Sequence, residues 1–96
     1  MSAPTIPNPE HTGLAELARR VAQAKTKVEI GGRYRHYRGG TYRVLDIGFH
    51  EADEALMVIY ALEYGPGLVS VRLLSSWLET VEVDGHTQPR FERITE

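Results

Sequence analysis

Apolar positions along the chain follow two periodicities, and the change between them falls at a Gly-Gly pair. From Gly13 to about Lys27, residues Leu14, Leu17, Ala18 and Val21, continued by Ala22, Ala24 and Val28, recur at i, i+3, i+4 and i+7. This spacing predicts an amphipathic α-helix over 13–28. Thr12 stands where an N-cap would accept a backbone N–H, Glu16 lies near the positive end of the helix dipole, and Lys25 and Lys27 lie near its negative end. The stripe is narrow and rich in alanine. It suits a lid over one open end of a barrel or a surface that docks on a second subunit.

After Gly31-Gly32 the period becomes two. Tyr34 and His36 fall on one side of a strand, with Arg35 and Tyr37 on the other. Gly39-Gly40 offers the positive φ angles of a tight hairpin, and the return strand runs from Thr41 to Phe49. Its apolar set changes parity, from Tyr42 and Val44 to Ile47 and Phe49, which predicts a bulge or bend near Leu45-Asp46. A polar turn over 50–54 precedes the apolar run 55–62, read as a central strand. Gly65-Pro66-Gly67 is the next turn, followed by a short strand over 68–72 and one helical turn over 73–76. Strands over 77–83 and 87–94 flank the two-residue turn Asp84-Gly85, and Pro89 assigns the last strand to an edge. The pattern predicts a mainly β fold: a small SH3-like barrel of five to six antiparallel strands over 31–94, with an N-terminal amphipathic helix. An OB-type barrel is the nearest competitor.

Composition narrows the class. Residues 1–12 carry Pro4, Pro7 and Pro9 with few apolar side chains, a tail predicted to be disordered. The start lacks a basic segment followed by an apolar one, and no stretch approaches the roughly 20 apolar residues of a membrane span. A cytoplasmic protein with no membrane association is expected. There is no cysteine, which removes disulfides and thiolate chemistry together. The net charge of −2 hides a segregation: residues 19–43 hold eight cations against Glu29 alone, whereas residues 44–96 hold three arginines against ten acids. Either the two parts neutralise each other across neighbouring strands, or the basic part serves an anionic partner.

The stretch Gly32, Tyr34-Arg35-His36-Tyr37-Arg38-Gly39-Gly40, Tyr42 and Val44 resembles a bacterial family catalogued as domain of unknown function 1653. The likeness continues through His50, Glu54, Tyr60, Val71-Arg72, Leu78-Glu79-Thr80-Val81, Asp84-Gly85 and Pro89-Arg90-Phe91. It implies a compact, mostly β, SH3-like domain of the bacterial cytoplasm and no established activity. Where the family pattern has a tryptophan before Val-Arg and a proline after it, this chain has Ser70 and Leu73. An aromatic platform at position 70 is therefore missing, while Trp77 stands where the family carries phenylalanine.

The candidate ligand-binding surface is the first hairpin with its neighbours: Arg35, His36, Tyr37, Arg38, Tyr60, Arg72 and Trp77. Guanidinium forks match carboxylate and phosphate, and exposed aromatic rings line the grooves in which small barrels hold extended peptides. A binding or adaptor module with a protein or peptide partner is the leading reading. A barrel for single-stranded nucleic acid, stacking bases on tyrosine, is the alternative. A hydrolase or metal site would draw on His36, His50, Glu51, Asp53 and Glu54, but no HExxH or paired-histidine spacing fixes it. No catalytic residue and no cofactor is assigned. The expected state is a monomer, or a homodimer joined through the N-terminal helix.

Overall fold

The computed structural model describes residues 13–95. The tail 1–12 lies outside them, and so does Thr12. Helix α1 (Leu14–Ala24) has Gly13 as its N-cap, without a side-chain cap, and it stops short of Lys27. Thr26 Oγ1 donates to Gln23 O at 2.6 Å, a bond that competes with helical pairing, and Val28 N still reaches Ala24 O at 3.0 Å. The turn these bonds make drops Val28 into the core beside Ala24. Leu17 and Ala24 are buried and Val21 packs on the core, so much of the helix's apolar stripe is used within the chain.

Seven strands follow among the described residues: β1 (Arg33–His36), β2 (Thr41–Phe49), β3 (Leu56–Leu62), β4 (Val69–Leu73), β5 (Thr80–Val83), β6 (His86–Pro89) and β7 (Phe91–Arg93). A one-turn helix, α2 (Leu74–Trp77), separates β4 from β5. Five strands form an antiparallel sheet in the order β4-β3-β2-β1-β7, and β5 pairs with β6 in a separate ribbon.

Much of the local chemistry anticipated from sequence is present. Gly39 and Gly40 adopt φ 100° and 83°, and a Cβ on Gly40 would stand 3.0 Å from the Tyr42 hydroxyl. Asp84 and Gly85, at φ 52° and 80°, join β5 to β6 in two residues. The parity change in β2 is a register shift between Val44 and Asp46, so Val44 and Ile47 both point into the core. The apolar run Leu56–Leu62 is an interior strand, paired on both sides.

The barrel is not closed. β4 and β7 are the two edges of an open sheet, and the single strand expected over 87–94 is two strands in different sheets. The break is at Arg90. Pro89 is in register with Thr80 on β5, whereas Phe91 is in register with His36 on β1. Between them Arg90 N donates to Glu79 O at 2.9 Å and Arg90 O accepts from Tyr37 N at 3.0 Å, so one residue hands the chain from ribbon to sheet. Trp77, expected to open a strand, instead closes α2 with 2 % of its surface exposed.

One face of the sheet holds the core: Tyr34, Val44, Ile47, Val58, Tyr60 and Phe91, joined by Trp77, Ala24 and Val28. The other face carries exposed side chains, as an antiparallel sheet permits. No helix among the described residues is long and apolar enough to cross a membrane.

Trp77 touches Tyr34, Tyr60 and Phe91, so its removal empties the centre of this cluster. Trp77→Ala is expected to cost about 3–5 kcal/mol. Chemical denaturation followed by far-UV circular dichroism would show the midpoint falling sharply, with a smaller fall for Trp77→Phe.

Candidate functional site

The arginines of the first hairpin divide by face. Arg33 and Arg43 meet Glu63 at 2.8 and 3.3 Å on the face away from the core, and the bond from Arg33 holds the Glu63 carboxyl below the usual range. Lys25 of the basic part pairs with Asp46 of the acidic part, and Glu29, the one acid of the basic part, pairs with Arg93. Arg35, Arg38 and Arg72 have no carboxylate partner among the described residues. Arg35 sits on the outer face in register with Thr41 and Glu92, apart from the other two.

Arg38 and Arg72 lie near His36. Because β1 alternates, His36 is on the same face as Tyr34 and projects beside Phe91, ring edge to ring face, at 4.9 Å between centroids. Its Nδ1 accepts the Arg38 backbone N–H at 3.2 Å, which leaves the proton of the neutral ring on Nε2. Tyr37 tilts against the same imidazole at 4.7 Å and carries the Arg38 guanidinium over its own ring. Arg72, reaching inward from β4, lies over the Phe91 ring at 5.2 Å and donates to Ser76 Oγ at 2.9 Å. Arg90, at the ribbon-to-sheet junction, donates to Glu79 at 2.9 Å.

Two polar atoms in this cluster are orphaned. Arg72 Nε and Arg90 Nε are buried with no hydrogen-bond partner among the described residues. Buried donors are nearly always satisfied, and leaving one unpaired costs about 1–3 kcal/mol. His36 registers the surplus of charge: burial, then the guanidinium groups of Arg72, Arg90 and Arg38, push its pKa below the ordinary 6.5. Tyr42 forms a wall of the same region, edge-on to Phe91 and bonded to the Tyr64 hydroxyl at 3.1 Å. Its phenol is pushed up to about 12, chiefly by burial and then by the Tyr64 bond, against the opposing pull of Arg72. The arrangement is a neutral imidazole and three guanidinium groups on an aromatic floor, a set of donors with a deficit of anions.

His36, Tyr37, Arg38 and Arg72 are thus brought together, and Arg35 is not. Tyr60 and Trp77 were expected on a ligand surface, yet both are buried, because a small domain without disulfides fills its interior with its largest rings. They support the site from beneath: Trp77 stacks on Phe91 at 3.8 Å with the planes 2° apart. Arg90 and Phe91 were missed. Their signal was a cation next to the most apolar residue of the last strand, which a continuous strand over 87–94 obscured. His50 is not a partner of His36: it contacts Asp53 in its own turn at 3.2 Å, and the length of β2, about 25 Å at strand rise, separates the two ends. No group of three or more potential metal ligands occurs among the described residues.

Residues 32–93 match the family described as protein of unknown function (DUF1653). A crystal structure of a protein of that family from Bordetella bronchiseptica is similar to this chain, with 36 % identity and a TM-score of 0.63 over 71 % of this chain and 90 % of that one. No curated protein matches.

The electrostatics make two predictions. Removing a guanidinium beside His36, as in Arg72→Met, raises the histidine pKa towards 6.5, measured by following its ring protons against pH. The folded pKa lies below the unfolded one, so between them the unfolded chain binds more protons. The stability tied to His36 is therefore complete above 6.5 and is lost as pH falls through the folded value. His36→Asn is expected to flatten the melting temperature over that window, in thermal melts at several pH values.

Proposed function

The chain belongs to the DUF1653 family, described only as proteins of unknown function, and from its own surface we propose a binding module that captures an anionic group of a protein or peptide partner. His36, Arg38, Arg72 and Arg90 receive the anion, and Tyr37 flanks it. The observation that carries this reading is the pair of buried Nε atoms on Arg72 and Arg90, unpartnered among the described residues, beside a histidine whose pKa is lowered by burial and then by these guanidinium groups. A carboxylate or phosphate placed against the outer guanidinium nitrogens of Arg38 and Arg72, which have no carboxylate partner among the described residues, would offset their charge. The aromatic floor excludes water and strengthens each charge-assisted bond.

The strand order β4-β3-β2-β1-β7, with a helical turn after β4, supports SH3-like kinship, although the edges stay open. The similarity to the Bordetella bronchiseptica protein supports a bacterial source, and a cysteine-free chain suits the cytoplasm. Single-stranded nucleic acid is the weaker partner. Base stacking needs a row of accessible rings, and Tyr60 and Trp77, expected on the surface that both readings share, are in the core.

Titration of the full chain with inorganic phosphate and with an aspartate-rich peptide, read by NMR, tests the reading. The His36 ring and the Arg72 and Arg90 side-chain signals are expected to move together. Affinity should rise as pH falls, because a bound anion raises the pKa of His36 and so draws a proton in. Arg72→Gln should weaken binding at least about tenfold, equivalent to about 1.4 kcal/mol. Silence of these signals towards both anions would overturn the proposal. A response confined to oligonucleotides, unaffected by Arg72→Gln, would move the function to nucleic acid on another face.

A further inference from the structure

Strand β4 presents an unguarded edge. It has a neighbour on one side only, β3, and none of the residues Val69–Leu73 makes a backbone hydrogen bond to anything beyond the sheet among the described residues. Its outward side chains are apolar and open: Val69 is 60 % exposed, Val71 56 % and Leu73 45 %, with Leu68 beside them at 63 %. The same face continues onto β3, where Ala61, Ile59 and Met57 stand in register with Val69, Val71 and Leu73. Sheet edges are normally protected by a proline, an outward lysine, a bulge or a covering loop. β4 has no proline, lysine or acid, its pairing to β3 shows no register shift, and its one charge, Arg72, points inward.

We propose that β4 is a homodimer interface, pairing antiparallel with β4 of a second copy about a two-fold axis through Val71. The occupant follows from the sequence of the strand. Val69-Ser70-Val71-Arg72-Leu73 is close to palindromic in polarity, apolar at 69, 71 and 73 and polar at 70 and 72. A two-fold interface requires such self-complementarity, since each contact must be made twice with the roles exchanged. Centred on Val71, the pairing sets Val69 against Leu73 of the second copy and Val71 against its own counterpart. It sets Ser70 against Arg72 of the second copy, so the two arginines never stand directly opposite and each faces a hydroxyl. Slipping the register by two residues, to centre on Ser70 or Arg72 pairs, either loses apolar partners or places like charges face to face. The open backbone groups would pair across the junction, giving one sheet of ten strands. This surface is distinct from helix α1, where Leu17 and Ala24 are buried within the chain.

The absence of cysteine makes the test clean. Residues facing each other on a two-fold axis in antiparallel strands have Cβ atoms about 4.5–5.5 Å apart, and a disulfide needs about 3.5–4.5 Å, so a small closing of the strands lets the bond form. Val71→Cys is expected to form a disulfide-linked dimer under mild oxidation, and Ala18→Cys on α1 is not. In light scattering across a concentration series the unmodified chain should approach twice its 10.8 kDa mass. Val71→Lys should remain at the monomer mass with an unchanged circular dichroism spectrum. A monomer at every soluble concentration overturns the proposal. So does a dimer that survives Val71→Lys and yields to Leu14→Lys, which would assign association to the helix.

Discussion

The stack of Phe91 on Trp77 is the contact on which the architecture depends. It joins the last strand to the one-turn helix, two elements that belong to neither end of the first hairpin, and it lies within a cluster that also includes Tyr34, Tyr42 and Tyr60. Parallel rings 3.8 Å apart leave no room between them for solvent. Phe91 also has an outer face, which receives Arg72, and an edge contact with His36. The ring that completes the core is therefore the ring on which Arg72 rests. Burial there lowers the pKa of His36, and the guanidinium groups of Arg72, Arg90 and Arg38, less screened by water on an apolar floor, lower it further.

The first half of the β fold was legible because local chemistry decides it. Gly39 and Gly40 adopt positive φ, the alternation of Tyr34 and His36 with Arg35 fixes which face is buried, and the parity change in β2 calls for a bulge or bend near Leu45-Asp46, where the register shifts. The second half was legible in its turns and not in its pairing. Asp84-Gly85 specifies a hairpin, but nothing in 86–94 says that the chain changes partner at Arg90. That decision is tertiary: Phe91 leaves the ribbon to reach Trp77, and Arg90 closes the gap with one donated and one accepted backbone bond. The same exchange explains why the sheet stays open. β7 is only three residues long, is held by β1, and has no surplus with which to reach β4.

The candidate site was visible in part for a related reason. Residue type and spacing marked His36, Tyr37 and Arg38, while Arg72 came from a separate strand. Arg90 required the chain's change of sheet to be known. Charge counting misled where it treated the hairpin arginines as one group. Arg33 and Arg43 face outward and share the Glu63 carboxylate, so both are engaged on that face. Arg38 and Arg72 belong elsewhere and lack such a partner among the described residues, so the net charge of −2 says little about the potential around His36. Tyrosine and tryptophan were likewise assigned by chemistry when volume decided their place.

Alternation along β4 ties the two surfaces together. The strand turns Arg72 towards the cationic cluster and Val71 away from it, so a second copy paired at β4 brings two such clusters to one junction. With Ser70 opposite Arg72, the two Arg72 residues become diagonal neighbours, roughly 7–8 Å apart along the sheet. Like charges at that separation oppose association, and an anion bound at either site diminishes the opposition. Binding and pairing would then be linked through one repulsion, and by thermodynamic reciprocity whatever an anion adds to dimer stability the dimer adds to anion affinity. Ser70 has a physical role in this arrangement: it is small enough to admit the opposing guanidinium and polar enough to accept from it, whereas a large aromatic side chain there would fill the space between the two sites.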